Sequence, residues 1–274
     1  MFTSSPRYGA IGAFPFAAHP APAPGLEREL RKGVLSGTCP VCGRKVLFER
    51  FTDNLRESGF CSECGSFNRQ RQIAHVLRQR YATPLAGALS LPSGLAVYNT
   101  ETTGAVHKTL SLGRDYFCSE YFGDEYAPGD LVAGRRHEDL QRLSFGDEVL
   151  DLVLSSDVLE HMPEPYEAHR EIFRVLKPGG RHIFTVPFDG HASLDDRRAA
   201  LIGGEVVYLA DKLFHGDPVR PDQGILVWTI FGLEMLVQLA KIGFRPAAWN
   251  LHEPEQGIVG PYSLVFEAFK PPAS

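Results

Sequence analysis

Four of the five cysteines fall in two pairs, Cys39-Pro-Val-Cys42 and Cys61-Ser-Glu-Cys64, with eighteen residues between the pairs. Two thiolates on a C-x2-C turn can approach one ion from the same side, and the intervening loop can bring the second pair across to complete a tetrahedron, which is the ligand set of zinc. Gly43 and Gly65 each follow a second cysteine, where the chain turns back and a residue that tolerates positive φ is favoured. The rival reading is two disulfides; with no secretory leader at the N-terminus, a reducing cytoplasm is expected and zinc is preferred. Four cysteines close the coordination sphere, so the metal is expected to be structural. Cys118 stands alone in an apolar run and reads as a buried strand residue.

A second set of chemically capable residues lies at the ends of apolar runs. Leu95 to Tyr98, Tyr116 to Glu120, Val149 to Ser155, His182 to Val186, Ala247 to Leu251 and Ser263 to Phe269 read as strands, with helical patterns interleaved. The pattern predicts helices over 67–81, 165–177 and about 231–241, the second opened by Pro165 and stopped by Pro178-Gly179-Gly180. Such alternation implies an α/β domain with a mostly parallel, doubly wound sheet, whose ligands bind outside the carboxyl ends of the strands. Asn99, Thr100, Glu101, Thr102 and Gly104 follow the first strand, Glu120 ends the second, and Ser155, Ser156 and Asp157 end the fourth. Asp139 lies in the turn after the third strand region, and Glu120 stands sixteen residues beyond Gly104, about where an acid would bridge a ribose diol. Each of these residues alone equally suits a helix cap.

The chain of 274 residues, 43% hydrophobic, suffices for one sizeable core and a small appendage. A net charge of −5 from scattered acids provides no electrostatic footprint for nucleic acid or an anionic membrane. The most apolar stretch, 224–244, contains Glu234, Gln238 and Lys241, which a bilayer centre resists. The arginines of 67–81 read as the solvated face of a helix packed on the next domain, with a contact surface for an acidic partner as the alternative. The N-terminal residues, broken by Pro15, Pro20, Pro22 and Pro24, read as a flexible or loosely docked arm.

The block Leu143-Ser-Phe-Gly-Asp-Glu-Val-Leu-Asp-Leu-Val-Leu-Ser-Ser-Asp-Val-Leu-Glu-His-Met-Pro-Glu-Pro165, followed by Arg174-Val-Leu-Lys-Pro-Gly-Gly180, resembles the centre of class I S-adenosylmethionine-dependent methyltransferases. The resemblance runs over about 95–269. It implies a seven-stranded Rossmann-like sheet with the last strand antiparallel and S-adenosylmethionine across the ends of the first, second and fourth strands. Carried over by position, Glu120 holds the ribose hydroxyls, Asp139 receives the adenine amino group with Leu140 beside the ring, and Ser156 lies near the methionine portion. The chain departs from the family at its first loop, where Tyr98, Thr100 and Thr102 stand at the acid and first two glycine positions and only Gly104 agrees. S-adenosylmethionine carries no phosphate, so side chains of Asn99, Thr100, Thr102 and Thr103 can replace glycine-exposed amides, and Glu101 can meet the cationic end.

The expected organisation is therefore an arm (1–34), a zinc-binding module with its basic helix (35–82) and a methyltransferase domain (83–274) in which 188–224 forms a substrate-covering insertion. Candidate catalytic bases are His161, His215 and Asp217, with Asp189 and His191 behind them. Glu160 reads as an arginine partner or turn cap, although Asp157, Glu160 and His161 are spaced as in metal-dependent members of the family. The expected acceptor is a hydroxylated small molecule or glycan in the cytoplasm. Two other readings stay open: a non-catalytic relative acting through its zinc module, and a nicotinamide-dependent enzyme, which the lack of G-x-G-x-x-G disfavours.

Overall fold

The computed structural model describes residues 7–8, 33–216, 224–260 and 263–272. In chain order the strands are β1 (Arg7–Tyr8), β2 (Val34–Thr38), β3 (Lys45–Glu49), β4 (Phe60–Cys61), β5 (Val97–Asn99), β6 (Tyr116–Cys118), β7 (Leu131–Val132), β8 (Arg135–Arg136) and β9 (Leu150–Ser156). They continue as β10 (Leu176–Thr185), β11 (Asp196–Arg197), β12 (Ala199–Ile202), β13 (Glu205–Tyr208), β14 (Phe214–His215), β15 (Ile225–Leu226), β16 (Thr229–Ile230), β17 (Arg245–Asn250) and β18 (Leu264–Phe269). The α-helices are α1 (Asn68–Tyr81), α2 (Gly104–Leu110), α3 (Pro165–Val175) and α4 (Glu234–Ile242).

Seven strands share one sheet in the order β1-β17-β18-β10-β9-β5-β6. At its centre β9 pairs in parallel with both β5 and β10. Every residue of β9 except Asp151 is buried, as a strand covered on both faces requires. The region expected to form a third strand does not join this sheet. It makes the small hairpin β7–β8 and a single bridge between Glu120 and His137. The opposite edge is extended instead by Arg7–Tyr8 of the expected arm, paired antiparallel with Trp249 and Ala248. The last two strands, β17 and β18, are neighbours in the sheet, and β18 lies inside it between β17 and β10. The helix expected to run to 177 ends at Val175, and Pro178-Gly179-Gly180 lies within β10, where the register to β9 shifts between Leu176 and Arg181.

The chain divides into two compact units, and the division does not follow the expected 35–82 and 83–274 segments. One unit comprises Met1–Ala96, Thr102–Phe117 and Ala247–Glu267; the other comprises Val97–Glu101, Cys118–Pro246 and Ala268–Ser274. Side chains of α1 explain why the late segment belongs with the first unit. Asn68 donates to the Val259 carbonyl (2.6 Å), Arg71 to that of Gly257 (2.9 Å), and Arg80 pairs with Glu267 (2.6 Å). The expectation of a solvated basic face on this helix is thereby corrected: Asn68 through Arg78 are all buried.

In the second unit α3 opens with Pro165 and buries Ala168, His169, Ile172 and Val175 along one face. Residues 188–224 were expected as a polar insertion. Their described part supplies four short strands: β12 pairs antiparallel with β13, while β11 and β14 pair antiparallel with β16 and β15, which lie just beyond 224. Among the described residues, no helix is long and apolar enough to cross a membrane.

His169 and His182 are wholly buried, with ring centroids 5.5 Å apart. His182 shares a hydrogen bond with Ser155 (2.9 Å), whereas neither ring nitrogen of His169 has a hydrogen-bond partner. Burial holds both imidazoles neutral, depressing His169 to about 3 and His182 well below its ordinary value. The unfolded chain takes up these protons once pH drops below about 6.5, while the folded chain resists until about 3 at His169. Stability is thus complete above pH 6.5 and declines as pH falls through that window, by up to about 1.4 kcal/mol per pH unit per histidine. Urea unfolding of His169→Leu between pH 4 and 7 is expected to show a clearly shallower acid decline than the parent; equal slopes would show that His169 accepts a proton in the fold.

Candidate cofactor site and cysteine cluster

Both cysteine pairs adopt the same turn. The Cys39 amide donates to the Arg44 carbonyl (3.0 Å) and the Gly43 amide to the Cys39 carbonyl (2.7 Å). In the second pair Cys61 donates to Ser66 (2.8 Å) and Gly65 to Cys61 (3.0 Å). Gly43 has φ +68°, and an added Cβ would lie 1.9 Å from the Gly87 carbonyl oxygen, so no other residue fits this turn. The antiparallel ladders β2–β3 and β3–β4 bring the two turns together, since Phe48 pairs with both Leu35 and Cys61.

All four sulfurs lie within 4.8 Å of one another. The Cys39–Cys64 and Cys42–Cys61 separations are 3.7 and 3.9 Å. A disulfide needs about 2.05 Å, whereas sulfurs bound to one tetrahedral zinc at about 2.3 Å stand about 3.8 Å apart. The cysteines are free, and the disulfide reading fails on distance. Proton sharing among the sulfurs pushes the Cys39 thiol up and the Cys61 thiol down, as expected of a group that ionises together.

Two buried arginines face this cluster. Arg71 is 0% exposed, donates to the Ser66 and Gly257 carbonyls and lies over the Phe48 ring at 4.4 Å. Burial lowers its pKa to about 10, and Cys39, Cys61 and Cys64 act in the opposite sense by holding its positive charge. Arg78 donates to the Pro40 carbonyl inside the first turn (2.7 Å), and to the carbonyls of Pro84 and Gly87. Four thiolates around a dication leave an excess of two negative charges, and buried guanidiniums supply the compensation. The spacing of the cysteines pointed to their cluster, but nothing in the helical pattern distinguished these arginines from a solvated face. Cys118 is half-buried, with its thiol pKa raised by burial, as expected of a non-reactive strand cysteine.

At the sheet, Asn99 ends β5 in register with Leu154, and Ser156 ends β9 two residues further along the same parallel edge. Asn99, Thr100 and Ser156 are buried. The Thr100 amide extends the ladder to Leu154 (3.0 Å), while its hydroxyl is buried without a hydrogen-bond partner. Tyr98, at the family's acid position, is wholly buried and cannot serve as a ligand: its hydroxyl meets Ser119 at 2.6 Å and its ring packs on Phe145 at 4.9 Å. Glu101 is half-buried.

Glu120 is half-buried, its amide donating to Arg136 and its carbonyl accepting from Glu138, which fixes the backbone from which its carboxylate projects. Asp139 is half-buried and spends one oxygen on the Gln141 amide (2.9 Å). Leu140 is buried in the core. The neighbouring Glu138, unremarkable in the sequence, is a buried strut accepting from Arg136 (2.6 Å) and the Ser144 amide (2.9 Å). Thr102 and Gly104 belong to the first unit, where Gly104 opens α2 at φ +84°. A Cβ on Gly104 would come 2.6 Å from Nε2 at the movable end of Gln70, and the φ of +84° is one that other residues rarely adopt, so this glycine has a backbone reason independent of any ligand.

The catalytic candidates divide. Asp217 lies outside the described residues. Asp189 binds the His191 amide of its own turn (2.8 Å), and Asp157 accepts from the Thr185 hydroxyl (2.9 Å). His161 and His215 are brought together, with ring centroids 5.0 Å apart. Between them lies Glu160, which faces the two histidines: its Oε1 is 3.6 Å from His161 Nε2 and 3.7 Å from His215 Nδ1.

An α/β sheet with polar residues along the edge shared by β5 and β9 defines a nucleotide-type binding domain. Residues 104–184 match the family described as a methyltransferase domain. An uncharacterized methyltransferase of Mycobacterium marinum is 31% identical over 182 residues, which cover 58% of this chain and 70% of the relative. The chain belongs to this methyltransferase family. A Mycobacterium leprae relative, also an uncharacterized methyltransferase, is 31% identical over 117 residues covering 41% of this chain and 42% of its own, so the chain spans under half of that protein. A solved S-adenosylmethionine-dependent methyltransferase from Mesorhizobium loti shares 15% identity at a TM-score of 0.42, covering 72% of this chain and 97% of the other, too weak a likeness to carry an argument.

Removing the Arg71 guanidinium leaves two buried carbonyls and the thiolate cluster uncompensated. Arg71→Met is expected to lower stability by about 2–4 kcal/mol in denaturant titration and to speed loss of metal to a chelator. An unchanged midpoint would show that the cluster does not need this charge.

Proposed function

We propose that the chain is an S-adenosylmethionine-dependent methyltransferase of the cytoplasm whose acceptor is a hydroxylated small molecule or glycan, with zinc held by Cys39, Cys42, Cys61 and Cys64 in a structural role. The observation that carries the cofactor assignment is the edge where β5 and β9 end: a buried, unpartnered Thr100 hydroxyl beside buried Asn99 and Ser156, within a chain that belongs to a methyltransferase family. A buried hydroxyl without a partner is disfavoured unless something accepts its hydrogen bond, and the carboxylate of the cofactor's methionine end supplies such an acceptor.

In this reading Asn99 and Thr100 bind the amino-acid end, assisted by Glu101 and Thr102, Glu120 holds the ribose diol, Asp139 receives the adenine amino group through the oxygen its turn leaves over, and Ser156 contacts the methionine portion. Gly104 keeps the turn into α2 open. When bound, the cofactor supplies a methyl group on a sulfonium, ready for in-line displacement. The chain's own work is alignment and exclusion of water, plus acceptance of a proton from a hydroxyl acceptor. The Glu160, His161 and His215 group lies after the end of β9 and is suited to binding that acceptor and taking its proton.

Isothermal titration of the zinc-loaded protein with S-adenosylmethionine tests the reading. Saturable binding is expected, weakened about tenfold or more by Thr100→Val and by Glu120→Gln, as each removes a hydrogen bond to the ligand. No heat and no thermal stabilisation at high cofactor excess would overturn it and favour a non-catalytic relative acting through its cysteine module.

A further inference from the structure

His161 is fixed by its surroundings. Its Nδ1 lies 2.8 Å from the Leu226 carbonyl oxygen. A carbonyl only accepts, so Nδ1 carries the proton and the neutral ring presents the lone pair of Nε2 on its other side. That nitrogen faces Oε1 of Glu160, a carboxylate 0% exposed, at 3.6 Å. His215, 36% exposed in its side chain, directs Nδ1 at the same oxygen from 3.7 Å. Both separations exceed an N–H···O hydrogen bond. The lone pair of His161, only 8% exposed, and the buried carboxylate thus face one another across a gap wider than a hydrogen bond.

The three groups are spaced as ligands of one cation. Ligand atoms about 2.1 Å from one tetrahedral ion stand about 3.4 Å apart, close to the two histidine–carboxylate separations. One atom each from Glu160, His161 and His215 all lie within 4.8 Å of one another, so closing on an ion needs only small side-chain movements. The scaffold is also suited to the task. Glu160 and His161 sit on one 3-10 turn, the Glu160 carbonyl accepts from the Trp228 amide (2.7 Å), and β15 supplies both the Leu226 carbonyl and the ladder partner of His215. The Nδ1–carbonyl bond on His161 is the outer contact that orients ligating histidines.

We propose that Glu160, His161 and His215 form a second metal site, separate from the cysteine cluster, that takes a first-row divalent cation such as manganese, iron or zinc. Two imidazoles and one carboxylate suit these ions, and three protein ligands leave coordination positions open to water or to an oxygen of a bound molecule. That this oxygen belongs to the methyl acceptor is an extension that rests on the methyltransferase reading; the metal site itself does not.

Manganese(II) added to the zinc-loaded protein tests the site directly, because this hard ion does not displace zinc from four thiolates. One saturable equivalent per chain is expected by titration calorimetry. Electron spin echo spectroscopy of the bound ion should show imidazole nitrogen coupling, and affinity should fall at least tenfold in Glu160→Gln and in His215→Ala while zinc stays at one per chain. Absence of saturable binding, a bound ion without nitrogen coupling, or binding that survives both substitutions would each overturn the proposal. Since neither cofactor nor acceptor is present, the result stands apart from whether S-adenosylmethionine binds.

Discussion

The architecture depends on β9 being paired in parallel on both sides and buried almost throughout. A strand locked between β5 and β10 has no freedom of register, because a slip of one residue would turn every side chain to the other face. Its carboxyl end is therefore a fixed point. Ser156 and Asp157 leave it, the latter held at φ +53° by Thr185, and the chain passes into the turn carrying Glu160 and His161. On the β5 side the same pairing continues to the Thr100 amide, so the divergent threonine loop starts from a defined position despite lacking most glycines of its family.

Charge is the second constraint. The acidic chain concentrates buried arginines on α1, where burial alone would be strongly unfavourable. Thiolates and backbone carbonyls compensate Arg71 and Arg78, and the arginines in turn compensate the sulfurs. The module is thus ionically balanced, which accounts for a helix of such polar composition lying buried along most of its length.

Much of this was legible in the residues. The six apolar runs correspond to β5, β6, β9, β10, β17 and β18, because period and flanking turn residues mark strands well. The four cysteines declared themselves by spacing. What stayed hidden depends on partners distant along the chain. The arginines of α1 look solvated until the Val259 to Glu267 segment closes over the helix, and Gly104 looks like a cofactor glycine until Gln70 is placed against it. That Glu160 faces His215 was hidden because this histidine comes from a ladder more than fifty residues later. Edge strands also escaped: two residues suffice for β1, too few for any periodic signal.

The central claim is that the shared edge of β5 and β9 is where the cofactor binds. Hydrogen–deuterium exchange with and without S-adenosylmethionine tests it most directly. The account predicts protection concentrated at 98–104, 120–122, 139–141 and 154–158, with the cysteine turns at 39–44 and 61–66 unchanged. Protection confined to the cysteine turns, or none anywhere at saturating cofactor, would contradict it.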